Sequence, residues 1–506
     1  MTTIPALLLD KASQQPDALA ICDDGWTLSY AQLAETVRDC AGVMKAMGLA
    51  HGDRFAIWAP NCAEWIITTL AGQYLGAIMV TLNTRYKGAE AADILRRSKS
   101  KLLFTVKGFL GHDYPDMLSG EDLPDLQEIV VIKDESPRAA FDAFLARDKD
   151  ALGELTVKDT DVADIIFTSG TTGAPKGAMV GHGQNVQVFE SFTDAIGMTA
   201  NDRYLVVNPF FHSFGYKAGW LACLIKGAAI FPLAVFDPKE VLQRIERDKI
   251  TVMPGAPTIF QTLLGHADLK AHDISSLRVA TTGATTIPVD LIRRMHEDLG
   301  IDDVFSAYGL TESTGVVSLC KKGDDFATIA GTCGRPLPGT ELRLVDENGN
   351  DVPSGEEGEI WVRGFNVMLG YLDNSEATAE TITAEGWLKT GDIGTQDEGG
   401  YIKITDRKKD MVIVGGFNCY PAEIEKVLLQ HPQIADVAIV GMADERLGEV
   451  THAHIVTAGG VALTKDDIVA WSREQMANYK VPRGVSFHDA LPRNASGKVQ
   501  KFLLGA

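Results

Sequence analysis

The sequence is short of basic residues, of paired cysteines and of long apolar runs, and each shortage removes a class of function. Lysine and arginine number 47 against 68 aspartates and glutamates, a formal net charge of −21. Such an acidic surface repels nucleic acid and anionic membrane. Neither is an expected partner, and an anionic substrate must be held by local donors against the global field. The seven cysteines (Cys22, Cys40, Cys62, Cys223, Cys320, Cys333 and Cys419) are scattered and include no Cys-x-x-Cys pair. That spacing argues against a disulfide frame or a cysteine-held zinc site and for reduced thiols in a cytosol. The opening stretch, MTTIPALLLDKASQQPDA, lacks a basic leader, and its apolar run is far too short to cross a bilayer. A cytoplasmic protein with no transmembrane segment is expected.

At 506 residues the chain predicts two or more domains. Ser29 opens a helix whose apolar positions Leu33, Val37, Cys40, Met44 and Met47 recur at steps of four and three, and Gly48 closes it. Arg54 to Trp58 reads as a strand, Asn61 as a helix cap and Ala77 to Leu82 as a second strand, together a βαβ unit. The rhythm returns downstream. Asp237-Pro238 starts a helix through Ile245, Ile250 to Met253 and Leu277 to Thr281 are strands, and Pro288 starts another helix. From about Gly334 short alternating runs take over, with a turn at Asn348-Gly349 and a strand GEIWVRG. Beyond TDRKKD (Thr405 to Asp410) a helix from Pro421 to Leu429, strands at Val437 to Val440 and Ala453 to Val456, and a helix from Thr464 to Met476 restart a pattern of their own. The expected fold is α/β. A large N-terminal domain of layered α/β sheets spans 1–406 and includes a small β-barrel subdomain at about 334–405, and a small α+β domain spans 407–506.

The stretch DIIFTSGTTGAPKGAMV, Asp164 to Val180, carries the strongest chemistry. An apolar strand at Ile165 to Phe167 breaks into a loop in which Gly170, Gly173 and Gly177 free the backbone to turn N–H groups toward an anion. Thr168, Ser169, Thr171 and Thr172 add hydroxyls, and Lys176 adds a charge. A polyphosphate fits it, although the P-loop order of glycine, four residues and Gly-Lys-Ser/Thr is missing. Further islands follow. NPFFHSFG sets His212 among phenylalanines. TTGAT (Thr281 to Thr285) and SAYGLTE (Ser306 to Glu312) end predicted strands, where open α/β sheets place ligands. Tyr308 offers a face for a purine, and Thr311 and Glu312 offer oxygens for Mg²⁺. LKTGDIG sets Asp392 between glycines, where it can accept both hydroxyls of a ribose, and PRNASGKVQK sets Lys498 in a terminal loop.

Taken in order, TSGTTGAPKG, YGLTES, GEIWVRGFNVMLGY, LKTGDIG, DRKKDMVIVGGFNCYPAEIE and PRNASGKVQK resemble the motif series of the adenylate-forming superfamily of acyl-CoA synthetases, luciferases and adenylation domains. The resemblance covers essentially the whole chain. It implies ATP, Mg²⁺ and coenzyme A, and two half-reactions: a carboxylate takes AMP from ATP, then a thiol takes the acyl group. Lys498 would bridge the carboxylate and the α-phosphate. Glu312 with Thr172 would hold Mg²⁺, Thr168 to Lys176 the outer phosphates and Thr311 the α-phosphate, with His212 a further catalytic residue. Adenine would lie between Tyr308 and Gly283-Ala284-Thr285, near Ser306, Ala307 and Gly309, and Asp392 with Arg407 would fix the ribose. Ser306 departs from the amide or carboxylate that many relatives carry there. The terminal domain would swing about Lys409, past a channel at Gly415, Gly416 and Phe417, where Asn418 replaces an arginine of one branch.

The resemblance places the acyl pocket near Phe211, His212, Gly215, Tyr216, Lys217, Gly219, Thr281 to Thr286 and Val316 to Ser318. Small residues at Gly215, Ala218, Gly219 and Ala222 would leave room for a broad group. TLNTRY, NPFFHSFGYKAG, GGFNCYP and ERLGEV are most similar to the branch acting on the indane-propionate remnant of steroid rings. Medium-chain fatty acids and aryl acids are alternatives, as is a stand-alone enzyme loading a carrier protein. A homodimer is compatible with the resemblance. Lys217 would either hydrogen-bond a ring carbonyl of the acid or serve as a surface or internally paired lysine.

Overall fold

Short apolar runs bounded by turn residues become strands throughout the first two-thirds of the chain. Arg54–Trp58 is a strand over the residues expected, and four of its five side chains are buried. The helix Tyr30–Ala46 is capped by Ser29, whose hydroxyl accepts from the Gln32 N–H while the Gln32 side chain accepts from the Ser29 N–H. This reciprocal cap satisfies two donors the helix would otherwise leave unpaired. Leu33, Val37, Cys40 and Met44 form its buried stripe, and Gly48 at φ +85° turns the chain out of it. The computed structural model describes residues 2–505 except 135–137, 169–174, 284–286, 408–409, 411, 415–416, 420, 445–446, 461–462, 477 and 494–498; for 406, 407, 413, 417, 418, 448 and 460 it describes the backbone alone.

Packing divides the chain into two compact units, 1–341 with 362–388 and 342–361 with 389–506. The first is built on two large sheets. A seven-stranded sheet runs in the order Gly370–Tyr371, Lys176–Gly181, Val162–Thr168, Ile78–Thr81, Arg54–Trp58, Ser100–Val106 and Glu128–Lys133. Its last five strands are parallel and its first two antiparallel. A nine-stranded sheet has a parallel centre made of Asp303–Tyr308, Val279–Gly283, Val252–Pro254, Arg203–Val206 and Ala229–Pro232. Helices cover these sheets, as apolar strands in parallel arrays require. Among the described residues no helix is long and apolar enough to cross a membrane.

The sequence reads Asn61 as a helix cap, and the structure gives it a different role. The helix Ala63–Tyr74 begins after Cys62, and the buried Asp23 carboxylate accepts from its Ala63 N–H. Asn61 instead reaches across the unit and donates to the carbonyls of Val206 (3.1 Å) and Asn208 (2.9 Å), while its own oxygen accepts from the Phe210 N–H at 2.7 Å. It fixes the loop that carries His212.

The second unit contains most of a four-stranded sheet, Thr340–Val345, Gly358–Gly364, Leu388–Gln396 and Ile402–Arg407, where the small β subdomain was expected. Its terminal part is α+β. The long strands Ile434–Asp444 and Gly448–Thr457 pair antiparallel with each other, and Gly448–Thr457 also pairs with Val412–Val414 and with Gly484–Phe487. Helices Pro421–Leu428 and Lys465–Gln475 accompany them, the latter capped by Thr464.

Candidate active site

The expected phosphate loop is held by strands on both sides. Val162–Thr168 pairs antiparallel with Lys176–Gly181, and Thr168 stands opposite Lys176 at the end of the pairing. Of the expected loop ligands, Ser169, Gly170, Thr171, Thr172 and Gly173 lie outside the described residues, while Thr168 and Lys176 stand at the mouth. Gly177 is a correction. It is a strand residue opposite Phe167, and a Cβ there would lie 2.8 Å from Ile165 and 3.1 Å from Phe167. Its smallness serves the pairing of the two strands.

The strands Val279–Gly283 and Asp303–Tyr308 are parallel neighbours with Gly283 opposite Ala307, so their C-terminal ends come together. Tyr308 is half-buried at that edge, whereas Ser306 is buried within the strand. Ala284 and Thr285 lie outside the described residues. A Cβ at Gly309 would sit 2.2 Å from the Gly315 carbonyl, so only glycine lets the chain fold back here. The next residues, Thr311–Ser313, form one tight helical turn. Thr314 follows at φ +61°, a costly backbone for a β-branched residue, and its hydroxyl is tied to the Asn366 carbonyl at 2.7 Å.

Glu312, on that turn, is half-buried and receives two hydroxyls on one oxygen. Thr168 donates to Oε1 at 3.2 Å and Tyr371 donates to the same atom at 2.9 Å. Lys176 Nζ lies 5.2 Å from the centre of the Tyr371 ring. Two hydroxyls from distant stretches of sequence therefore meet on one carboxylate, with a lysine against the ring of one of them. This oxygen-rich cluster suits a hard divalent cation, with a lysine beside it for phosphate. Burial and the Glu312 charge both hold the Tyr371 phenol well above its ordinary pKa, so it donates at neutral pH. Tyr371 carried no signal in the sequence beyond its place at the end of GEIWVRGFNVMLGY.

His212 is reached through Asn61 and through the Thr81 hydroxyl, which donates to the Phe211 carbonyl at 3.0 Å. Its Nδ1 accepts from the Phe214 N–H at 3.2 Å, which leaves the neutral ring with its proton on Nε2. His212 is exposed to solvent, and partial desolvation by the protein packed near its ring lowers its pKa below the ordinary histidine value. The chain then enters a π-helical turn, Tyr216–Leu221, all of it buried.

That turn corrects the expected acyl pocket. A Cβ at Gly215 would lie 2.2 Å from the Pro209 carbonyl, and one at Gly219 would lie 2.7 Å from Val206. The room these glycines leave is filled by the protein itself. Tyr216 stacks on Trp220 with ring centres 4.9 Å apart, and its hydroxyl accepts from Gln73 at 3.2 Å. Lys217 is fully buried and ion-paired with Asp164 at 3.0 Å, the internal pairing that the sequence left open. Asn185 donates to the other Asp164 oxygen at 2.7 Å. Burial draws the Lys217 pKa down while Asp164 opposes the shift. Val316, Val317 and Ser318 are likewise buried. A recess of about 1070 Å³ does open in this unit, lined by Met179, Arg363, Leu369, Tyr371 and Ile382 among others. It meets the cluster through Tyr371, and none of residues 211–219 lines it.

In the second unit the strand Leu388–Gln396 carries Asp392 directly opposite Arg407 in an antiparallel pair. Asp392 is buried, and its backbone N–H donates to the Thr390 hydroxyl at 3.1 Å. Phe417 lies in a short strand, its backbone opposite Val414. Lys409, Gly415, Gly416 and Lys498 fall outside the described residues.

The two-sheet fold thus sets a hydroxyl-held carboxylate, Glu312, beside the strand ends at Thr168 and Lys176. The chain belongs to the AMP-binding enzyme family, whose model matches residues 8–372, with the C-terminal domain of that family matching 423–498. It is an AMP-forming acyl-CoA synthetase that uses ATP, Mg²⁺ and coenzyme A. It is 46% identical to the (methyl-dioxo-octahydro-indenyl)propanoyl:CoA ligase of Rhodococcus jostii, over 99% of this chain and 98% of that protein. It is also 46% identical to the ligase of the same name from Mycobacterium tuberculosis, with the same coverage. The crystal structure of ATP-bound MatB from Rhodopseudomonas palustris superposes with a TM-score of 0.90 at 30% identity, covering 99% of this chain and 98% of that one.

Proposed function

We propose that the enzyme forms the CoA thioester of a steroid-derived indane-propionate carrying ring ketones. The carrying observation is the 46% identity, over nearly the full length, to two ligases named for that acyl group. Lys217 is spent on Asp164, so the acid reading no longer draws on that residue and rests on the relatives.

In the first step a carboxylate oxygen attacks the α-phosphorus of ATP, the bond to pyrophosphate breaks, and a mixed anhydride with AMP forms. Two anions meet, so a cation must stand between them, and Lys498 is the residue assigned to it. Lys176 and the loop it closes receive the outer phosphates, Thr311 the α-phosphate and Tyr308 the adenine. Support comes from the placement of Thr168 and Lys176 at the loop mouth and of Tyr308 at a strand end beside Gly283. Asp392 is assigned to the ribose hydroxyls, supported by its cross-strand pairing with Arg407. Mg²⁺, when bound, neutralises phosphate charge, and Glu312 is the residue assigned to hold it. In the second step the CoA thiolate attacks the acyl carbonyl and AMP leaves. Residues 407–506 are assigned as the domain that changes role between the steps, in keeping with the separate family match at 423–498. The free cysteines support a cytoplasmic location.

A coupled AMP-release assay with free CoA tests the acid. Across oxo-indane-propionate, decanoate and ferulate, the first should give a kcat/KM at least about ten-fold above the others, the discrimination that roughly 1.4 kcal/mol of differential binding provides. A higher value for decanoate or ferulate would reassign the substrate.

A further inference from the structure

We infer that Tyr371 is a positioning residue for the metal-bound first half-reaction, acting through Glu312. The inference rests on the assignment of Glu312 to Mg²⁺. Its observations are geometric. Tyr371 lies on the short edge strand Gly370–Tyr371, which pairs with the strand leaving the phosphate loop, Tyr371 opposite Ala178. Its backbone N–H donates to the Thr378 hydroxyl at 2.9 Å, so the strand and the helix Ser375–Thr381 together fix the residue. The side chain is nearly buried and its hydroxyl donates to Glu312 Oε1 at 2.9 Å.

The Thr168 hydroxyl converges on the same oxygen at 3.2 Å. Two donors on Oε1 select one carboxylate rotamer, and among the described residues no donor reaches Oε2. One oxygen is thereby anchored and the other left for a ligand, as second-sphere donors commonly do for a metal-binding carboxylate. The Tyr371 ring serves a second charged group. Lys176 stands 5.2 Å from the ring centre, within cation–π range, so one aromatic side chain sets the direction of a carboxylate by its hydroxyl and of an ammonium by its face. The two groups are those assigned to the metal and to the outer phosphates of one nucleotide.

Binding of Mn²⁺, read by the loss of the free-ion electron paramagnetic resonance signal with a non-hydrolysable ATP analogue present, tests this without turnover. Tyr371→Phe keeps the ring and removes the hydroxyl. It should raise the Mn²⁺ dissociation constant about ten-fold, the range for loss of a metal ligand's supporting hydrogen bond, while leaving the thermal midpoint and metal-free analogue binding unchanged. Glu312→Gln should raise it at least as much, and adding Tyr371→Phe to that background should change nothing further. If Glu312→Gln weakens Mn²⁺ and Tyr371→Phe does not, the positioning role is overturned while the metal assignment stands. A full additional effect of Tyr371→Phe in the Glu312→Gln background would also overturn it, since the tyrosine would not be acting through Glu312. Unchanged Mn²⁺ affinity in Glu312→Gln overturns both.

Discussion

Lys498→Ala should lower acyl-adenylate formation by at least about 100-fold, close to 2.7 kcal/mol of transition-state stabilisation. Thioester formation from supplied acyl-adenylate should remain largely intact. The split follows from charge. In the first half-reaction a carboxylate must approach a phosphate, and the chain's own field, with a net charge of −21, opposes the gathering of anions. A local cation has to overcome that repulsion at the moment of attack. In the second half-reaction the electrophile is a mixed anhydride already formed, and the nucleophile is a thiolate at its carbonyl, where a bridging ammonium has no comparable task. Pyrophosphate exchange reads the first step, and CoA-dependent consumption of synthetic acyl-adenylate reads the second. Equal losses in both would remove Lys498 from the bridging role.

Lys217→Met should destabilise the larger unit by about 3–5 kcal/mol, the cost of leaving one partner of a buried ion pair without the other. Lys217 and Asp164 are each fully buried and 3.0 Å apart. Methionine fills much of the lysine's volume but leaves the buried Asp164 carboxylate without its cation, the Asn185 amide still donating to it. The thermal midpoint should fall by on the order of 5 °C. Lys217→Met with Asp164→Asn should recover most of the loss, because removing both charges removes the uncompensated one. The pair ties the strand that ends in the phosphate loop to the turn following His212, so the single variant should also weaken both ATP and acid binding. A KM change confined to oxo-acids, with no loss of stability, would return Lys217 to the substrate.

Local patterns made much of the fold legible. The strand Gly358–Gly364 and the cap at Ser29 depend on residues within a few positions of one another, and a linear reading captures such relations. The order of the motifs likewise pointed to the family, because each is a contiguous string. What escaped the reading depends on distant partners. Asn61 finds its partners about 145 positions away, in the loop before His212. Lys217 finds Asp164 across 53 positions, and a charged residue among aromatics reads the same whether it meets a substrate or a buried carboxylate. The small residues at Gly215 and Gly219 fit an open pocket and close packing equally well until the neighbouring carbonyl and valine are in place. Tyr371 lies in a quoted motif, yet its bond to Glu312 spans 59 residues and had no local sign.

Trapping the first intermediate identifies the acid the enzyme activates. The enzyme would be mixed with one equivalent of ATP, Mg²⁺ and an equimolar set of oxo-indane-propionate, decanoate and ferulate, without CoA, and the bound adenylates identified by mass spectrometry. The predicted result is pyrophosphate release with indane-propionyl-adenylate in at least about ten-fold excess over the others, all of it converted to thioester and AMP when CoA is added. A dominant decanoyl- or feruloyl-adenylate would contradict an indane-propionate substrate.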